Sequence, residues 1–502
     1  MAIKLRGPAL YRLMKIVSGL SFCMYGYDAG VLGGMLLHKP FQDAMGNPTG
    51  VWIYPMIVAS YDLAAFVTSI VIATFTMRIG RRGTIIMGNV VAVFGAILQA
   101  SSYSVPQMIV GRLLTGFAIG SISSSVPTYL NECGSKIHDR GPANAINAMF
   151  LMGGVPLAYW IDYGFVHWGH QASWRLPVIL QCCFAIPAGL TMFFLPDTPR
   201  WYYARNRVEE GDAALAQLYD EDIDSPAVQE TKRNIMAAIE IELEANSSIS
   251  WHQFLTLGIV DNTKLKIIRR LVICFWLPML GEWQGISLLA YFAPVILSGI
   301  GTSPGTVAVI SGVLSTCMFL GTVPLYWTIE KFGRRSTMLY SAIVSSLLYI
   351  VFIVLVAVGG RGEQWASVVM LFLIVPVLSY GWQANKFLYS SEISPLEYRH
   401  IGGAFFSSGE WLMVFITVFA SPIGLDTCGW PFWFFILAGN ILSVIFVWLL
   451  CPETAGKTLE QVDYLFIGKG FAGLRRDGDH DIGQPEKKLE HTHVEDREES
   501  GE

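Results

Sequence analysis

Arg78-Ile79-Gly80-Arg81-Arg82 follows a long apolar run, and Glu330-Lys331-Phe332-Gly333-Arg334-Arg335 follows another, with an offset of 253 between the two Gly-Arg-Arg phrases. Two further phrases return at nearly the same distance. Glu132…Arg140 recurs as Glu392…Arg399, at 260 and 259, and Pro196-Asp197-Thr198 recurs as Pro452-Glu453-Thr454, at 256. Every copy sits at the edge of an apolar run. The duplicated object is therefore a membrane bundle with basic hinges on one face, an architecture found in secondary transporters.

Working outward from these phrases, the chain has 502 residues, of which 53% are hydrophobic and 15% charged. A soluble domain carries roughly 25% charged residues. The charges cluster and leave runs of about 20 apolar residues, each long enough to cross a bilayer. Twelve spans are predicted, at about 14–36, 53–76, 83–102, 107–130, 145–166, 175–195, 268–297, 305–328, 337–358, 365–391, 401–424 and 431–451. The expected fold is an all-α membrane protein of twelve transmembrane helices in two six-helix pseudo-repeats. The expected divisions are an N-terminal segment 1–13, a first half 14–196, a linker 197–267, a second half 268–452 and a tail 453–502.

The first run follows Lys4, Arg6, Arg12 and Lys15, is long for a signal-peptide core and lacks a small-residue cleavage site after it. It is expected to be a retained helix. Arg78, Arg81 and Arg82 follow span two, Lys136 and Arg140 span four, Lys331, Arg334 and Arg335 span eight, and Arg399 span ten. The loops Ser101–Gln107 and Ser298–Thr306 contain no Lys or Arg. This asymmetry places the basic loops, and with them both termini, in the cytoplasm, with the plasma membrane as the expected site.

The linker segment Val228–Ala245, with apolar Ile235, Ala238, Ile239 and Ile241, is expected to form short amphipathic helices on the cytoplasmic face. The acidic, polar tail from about 470 is expected to be disordered. The sequon Asn246-Ser247-Ser248 falls on the cytoplasmic side in this topology and reads as chance. The eight cysteines include no C-x-x-C pair and read as small packing residues in membrane helices. The net charge of −5, with no broad basic face, offers nothing to nucleic acid. No metal or cofactor is expected; lipid surrounds the bundle. There is no nucleophile triad, phosphate loop or soluble catalytic domain to suggest an enzyme.

The ordered phrases resemble the sugar porter family of the major facilitator superfamily. The resemblance covers nearly all of residues 10–465. It is carried by Gly26-Tyr27-Asp28, the first basic phrase, Gly111-Arg112, Pro127-Thr128-Tyr129-Leu130-Asn131-Glu132 and Arg140-Gly141. Pro196-Asp197-Thr198-Pro199-Arg200-Trp201, the second basic phrase and Pro452-Glu453-Thr454-Ala455-Gly456-Lys457-Thr458-Leu459-Glu460 complete it. The wording of spans ten to twelve resembles the fungal branch. The resemblance implies alternating access and a cytoplasmic gate of Arg81, Arg82, Glu132, Arg140, Arg334, Arg335, Glu392 and Arg399. Around Met77-Arg78 the family often carries Asp or Asn; with Met77 here, the first copy of the gate lacks one polar partner.

The resemblance also implies that Asp28 in span one faces Arg112 in span four. Rocking that separates such a pair raises the carboxylate's proton affinity, which suffices for proton coupling. Asp62 in span two is expected to serve a structural hydrogen bond. The family's sugar site uses neutral amides and an aromatic plate, which suit hydroxyl-rich cargo. Counted from the flanking phrases, those places here hold Ala148 beside Asn147, then Gly281, Glu282 and Ser287, then Phe387 beside Lys386, and Glu410 beside Trp411. Gln284, Ser287 and Tyr291 share a face by their spacing in a regular helix. Glu282 lies roughly 140° from Ser287 and joins that face only across a break at Gly281 or Gly285.

The candidate substrate residues are thus Gln284, Ser287, Glu282, Tyr291, Phe387, Glu410, Lys386 and Asn147. Lys386 is expected to neutralise Glu282 or Glu410, or to meet an anionic cargo. The expected activity is proton-coupled transport of a polar, polyhydroxylated metabolite. An organic acid, an aminated glycoside, export of a secondary metabolite, and a non-transporting sensor remain as alternatives. The tail reaches only about 40 residues past the last motif, which speaks against the sensor.

Overall fold

The computed structural model describes residues 5–134, 140–245, 266–298, 303–394 and 399–457, with Val462, Leu465 and Phe466. The sequon, most of the tail and the side chains of Met77, Arg140, Ile241 and Arg399 lie outside the described residues. Among the described residues the regular elements are all helical.

Six spans build the first half: Gly7–Met35, Ile53–Ile79, Arg81–Ala100, Val105–Cys133, Arg140–Phe165, and Ala172–Ile179 continued by Cys182–Met192. Six build the second. Span seven is Ile267–Trp283 continued by Ile286–Ser298, and span eight is Pro304–Thr322 continued by Leu325–Phe332. Span nine is Arg334–Val358. Span ten runs Arg361–Leu378, through a π turn at Ser379–Gln383, into Asn385–Ile393. Spans eleven and twelve are Arg399–Cys428 and Trp433–Leu450.

Among the described residues ten segments are long and apolar enough to cross a membrane by themselves; spans one and five are not among them. Both carry polar groups on faces buried against other helices: Ser18, Ser21 and Asp28 on span one, Asn147 and Asp162 on span five. The two pack backbone to backbone. A Cβ on Gly26 would collide with the Leu151 carbonyl, and one on Gly154 with the Cys23 carbonyl. Small residues let helices meet where burial of apolar surface cannot drive them together.

The doubled phrases fold into doubled geometry. Gly80 adopts φ 89, ψ 164 and Gly333 φ 80, ψ 163, a left-handed turn that joins two antiparallel helices. A Cβ at either would strike the carboxylate that caps the next helix, Asp197 or Glu453. Arg82 N donates to Asp197 Oδ1 at 3.3 Å, and Arg334 N to Glu453 Oε1 at 2.8 Å. Tyr129 OH donates to the Pro196 carbonyl and Tyr389 OH to the Pro452 carbonyl, both at 2.9 Å. Arg82 and Arg335 each reach a backbone carbonyl near the end of the half, Phe193 and Trp448.

The linker holds three helices where the sequence suggested short amphipathic ones: Pro199–Ala204, Val208–Tyr219 and Pro226–Ala245. Tyr203, Leu215 and Val228 form their core, with Ile235 and Ile239 against it. Lys232 pairs with Asp212 at 2.8 Å. Gln217 donates to the Leu5 carbonyl at 2.9 Å, so the linker holds the start of span one. The helix begins at Gly7, earlier than the apolar run, with Pro8 in its first turn.

Candidate functional site

On the basic face, each half ties its own spans together. Arg81 pairs with Glu132 at 2.9 Å, joining the start of span three to the end of span four. Arg334 pairs with Glu392 at 2.9 Å, joining span nine to span ten, and with Glu330 at 2.6 Å. Glu392 also accepts from Thr454 Oγ1 at 2.6 Å. Glu330 occupies the place of Met77 under the 253-residue offset, so the second copy holds an acid that the first lacks. Burial pushes the Asp197 carboxyl above its ordinary range. The N–H groups of Thr198 and Arg82, and the Arg81 charge, oppose that push.

In the last third of span one, Asp28 Oδ2 accepts from Arg112 Nη1 at 2.6 Å. Arg112 also donates to the Val58 carbonyl at 3.1 Å and lies over the Tyr61 ring, 4.5 Å from its centroid. Both partners are essentially without solvent, at 1% and 0% side-chain exposure. A charge is tolerated at such a depth when its opposite and further hydrogen bonds are at hand. Asp62 accepts from Tyr291 OH at 3.1 Å, across the boundary between the halves.

The second half builds a different cluster. Span seven ends its lower helix at Trp283, and Gly285 takes φ 95 before the upper helix starts at Ile286. The break frees carbonyls, and other spans satisfy them. Tyr349 OH donates to the Gln284 carbonyl at 2.9 Å, and Asn440 Nδ2 to the same oxygen at 3.4 Å. The Gln284 amide donates to Ser443 Oγ at 2.9 Å. Gln284 therefore turns toward spans nine and twelve, and the regular-helix face expected to unite it with Ser287 and Tyr291 does not form. The same break brings Glu282 to Ser287, whose hydroxyl donates to it.

Lys386 arrives from span ten. Pro376 has no N–H to give, and the π turn at Ser379–Gln383 follows it. Beyond this turn Lys386 Nζ meets Glu282 and reaches Glu410 Oε1 on span eleven at 3.3 Å. The lysine thus joins both carboxylates, where the sequence left open which one it would meet. All three residues are buried.

Aromatic rings surround this cluster. Tyr25 lies 4.9 Å and Tyr61 5.7 Å from the Trp411 ring, and Trp411 Nε1 donates to Ser123 Oγ at 3.1 Å. Toward the basic face, Phe387 packs on Phe22 and Phe406, with centroids 6.4 and 4.7 Å apart. Ala148 packs with Leu325, Ala384 and Leu388, which closes the halves on that side. Neighbouring Asn147 is buried with neither end of its amide hydrogen-bonded. Toward the opposite face, residues of both halves, among them Leu36, Tyr54, Leu288, Phe292 and Trp433, line a cavity of about 720 Å³.

Tyr25 and Tyr61 were not singled out from sequence, because neither stands in a repeated phrase. Asp162, also missed, is buried beside a second cavity of about 350 Å³ with His38 and Tyr159. An acid inside an apolar run was its only sequence signal.

Comparison with known proteins agrees with this geometry. The profile of the family "Sugar (and other) transporter" matches residues 13–466. The chain is 28% identical over 485 residues to the MFS-type transporter oryC of Aspergillus oryzae, covering 95% of this chain and 89% of that one. It is 25% identical over 475 residues to the sugar transporter STL1 of Saccharomyces cerevisiae, covering 92% and 82%. Its fold matches the proton:xylose symporter XylE bound to 6-bromo-6-deoxy-D-glucose with a TM-score of 0.78 at 19% identity, covering 91% and 99%. The match to inward-open XylE has a TM-score of 0.71, also at 19% identity, covering 91% and 100%. Twelve spans in two matching halves, a central polar cluster between them and a family profile over almost the whole chain lead to one conclusion: this multi-pass membrane protein belongs to the sugar (and other) transporter family of the major facilitator superfamily.

Proposed function

We propose that the protein carries a polar, polyhydroxylated solute across the plasma membrane by alternating access, driven by protons. Its basic face and both termini lie in the cytoplasm in this reading. The single observation that carries the coupling is the Asp28–Arg112 pair, buried at 2.6 Å between spans one and four. A carboxylate beside a guanidinium stays ionised, and one drawn away from it in a buried setting takes up a proton. Rocking of the halves that loosens the pair therefore links proton uptake to the exposed side. The likeness to a protein whose printed description is a proton:xylose symporter supports the same reading.

The solute meets Glu282, Ser287, Tyr291, Phe387, Lys386, Glu410 and Asn147 in the centre, while Gln284 shapes the site from behind the break. On the cytoplasmic side Arg81, Arg82, Glu132, Arg140, Arg334, Arg335, Glu392 and Arg399 form the gate of this reading, in which Arg81 with Glu132 and Arg334 with Glu392 tie the spans of each half together. A second reading, a cargo other than a plain hexose, is favoured by the charged cluster that stands where neutral amides would suit sugars.

Uptake into proteoliposomes of hexoses, pentoses, polyols, sugar acids and amino sugars, with and without a pH gradient, tests the proposal. Accumulation that follows the gradient and disappears in Asp28→Asn is expected. Gradient-driven uptake that survives intact in Asp28→Asn removes Asp28 from the coupling role.

A further inference from the structure

We infer that the cargo carries a protonated amine in addition to its hydroxyl groups, and that Glu410 receives it. This rests on the transport reading above and names its substrate class.

The argument begins with charge. Among the described residues, the central region holds four carboxylates, Asp28, Asp62, Glu282 and Glu410, and two cations, Arg112 and Lys386. Arg112 is spent on Asp28, and Lys386 is spent on Glu282 and Glu410. The lysine is thus held by acids on both sides, which disfavours an anionic cargo. An isolated surplus of buried negative charge is costly and is relieved by a cation or a proton.

The open hydrogen-bonding positions point the same way. Glu410 Oε2 and Asp62 Oδ2 are buried and meet no hydrogen-bond partner among the described residues. When ionised both are acceptors, so the partner each then lacks is a donor. Tyr61 OH and both ends of the Asn147 amide are likewise open, and these suit hydroxyl groups. The Tyr25 ring packs at 4.9 Å on Trp411, the neighbour of Glu410 along span eleven. Aromatic faces beside carboxylates favour an ammonium group, since the ring quadrupole attracts a cation. Tyr61 already carries Arg112 over its ring, which leaves Tyr25 and Trp411 for the cargo.

Binding to the purified full-length protein separates this inference from transport. Two matched series serve as probes, glucosamine, glucose and glucuronate, and glucamine, sorbitol and gluconate, at a pH where the amines are protonated. The expected result is that an amine binds about tenfold or more tightly than its neutral and acidic counterparts on at least one frame, as one charge-assisted hydrogen bond provides. Glu410→Gln is expected to abolish that preference and Glu410→Asp to keep it. Where Glu410→Gln fails to fold, as judged by its melting curve, Asp62→Asn is the second variant and, by lowering the surplus negative charge, should also reduce the preference. Equal binding of amine and neutral members, preference for the acids, binding of none of the six, or an amine preference that survives Glu410→Gln, or Asp62→Asn in its place, overturns the inference. Proteoliposomes then test the other reading: a probe that binds selectively but is never carried across leaves the amine site standing and removes transport.

Discussion

The two faces of this molecule have treated their shared ancestry differently. On the basic face the two halves keep one plan. A glycine with positive φ, an arginine paired to an acid at 2.9 Å, and a capping carboxylate recur in each copy. In the centre they share almost nothing. The first half presents a tight pair, Asp28 with Arg112, and the second a lysine between two glutamates on three spans. The frame of each half closes the same local geometry, a helix junction tied to the end of that half. The centre holds different charged groups in each half, and the proposed cargo would meet both sets.

Lys386→Gln probes this contrast most severely. It leaves two buried carboxylates without their cation, and a loss of about 3–5 kcal/mol is expected, read as early melting in detergent. Lys386→Gln with Glu410→Gln should recover part of that loss. A single variant that melts like the parent would break the idea of a charge cluster that must balance itself.

Asp28→Asn comes next. Its expected mark is functional: gradient-driven accumulation drops about tenfold or more while solute exchange without a gradient continues. Simultaneous loss of exchange would instead make the pair structural, and the two centres would then be more alike than proposed.

The frame variants follow. Arg81→Ala and Arg334→Ala each uncover a partly buried acid, with an expected cost of about 1–3 kcal/mol in thermal or denaturant unfolding. Arg334→Ala should cost more, because two glutamates lose their partner. Equal costs would mean that Glu330 adds nothing. The smallest change is expected from Glu330→Met, which makes the second copy read like the first. Its side chain is 54% exposed in the pair, and less than about 0.5 kcal/mol is expected.

The frame was legible in the sequence because each residue there acts locally. A glycine before two arginines at a helix junction has one job, and its repetition announces the fold. The central charges were legible as residues but only partly as geometry. Glu282 and Glu410 stand where the resemblance implies amides, Lys386 lies beside the place of the aromatic plate, and the sequence leaves open which acid the lysine meets because it meets both. Gln284 illustrates a sharper limit. Helical spacing aligns it with Ser287, yet one positive φ at Gly285 turns its amide to Ser443. The Tyr25–Trp411–Tyr61 group joins spans one, eleven and two, and no periodicity along a chain reports a contact of that kind.

The break in span seven has a mechanical consequence. An unbroken helix bends only by stretching its own backbone ladder. At Gln284 the carbonyl is already held by side chains of spans nine and twelve. Only the stretch from Ile286 to Tyr291 lies between this break and a second bend at Phe292, φ −125 and ψ 18, so a rotation about Gly285 would carry that short stretch as a unit. Tyr291 rides on that stretch and holds Asp62 at its far end. A rotation at Gly285 would act on two contacts at once, Tyr291 with Asp62 and Ser287 with Glu282.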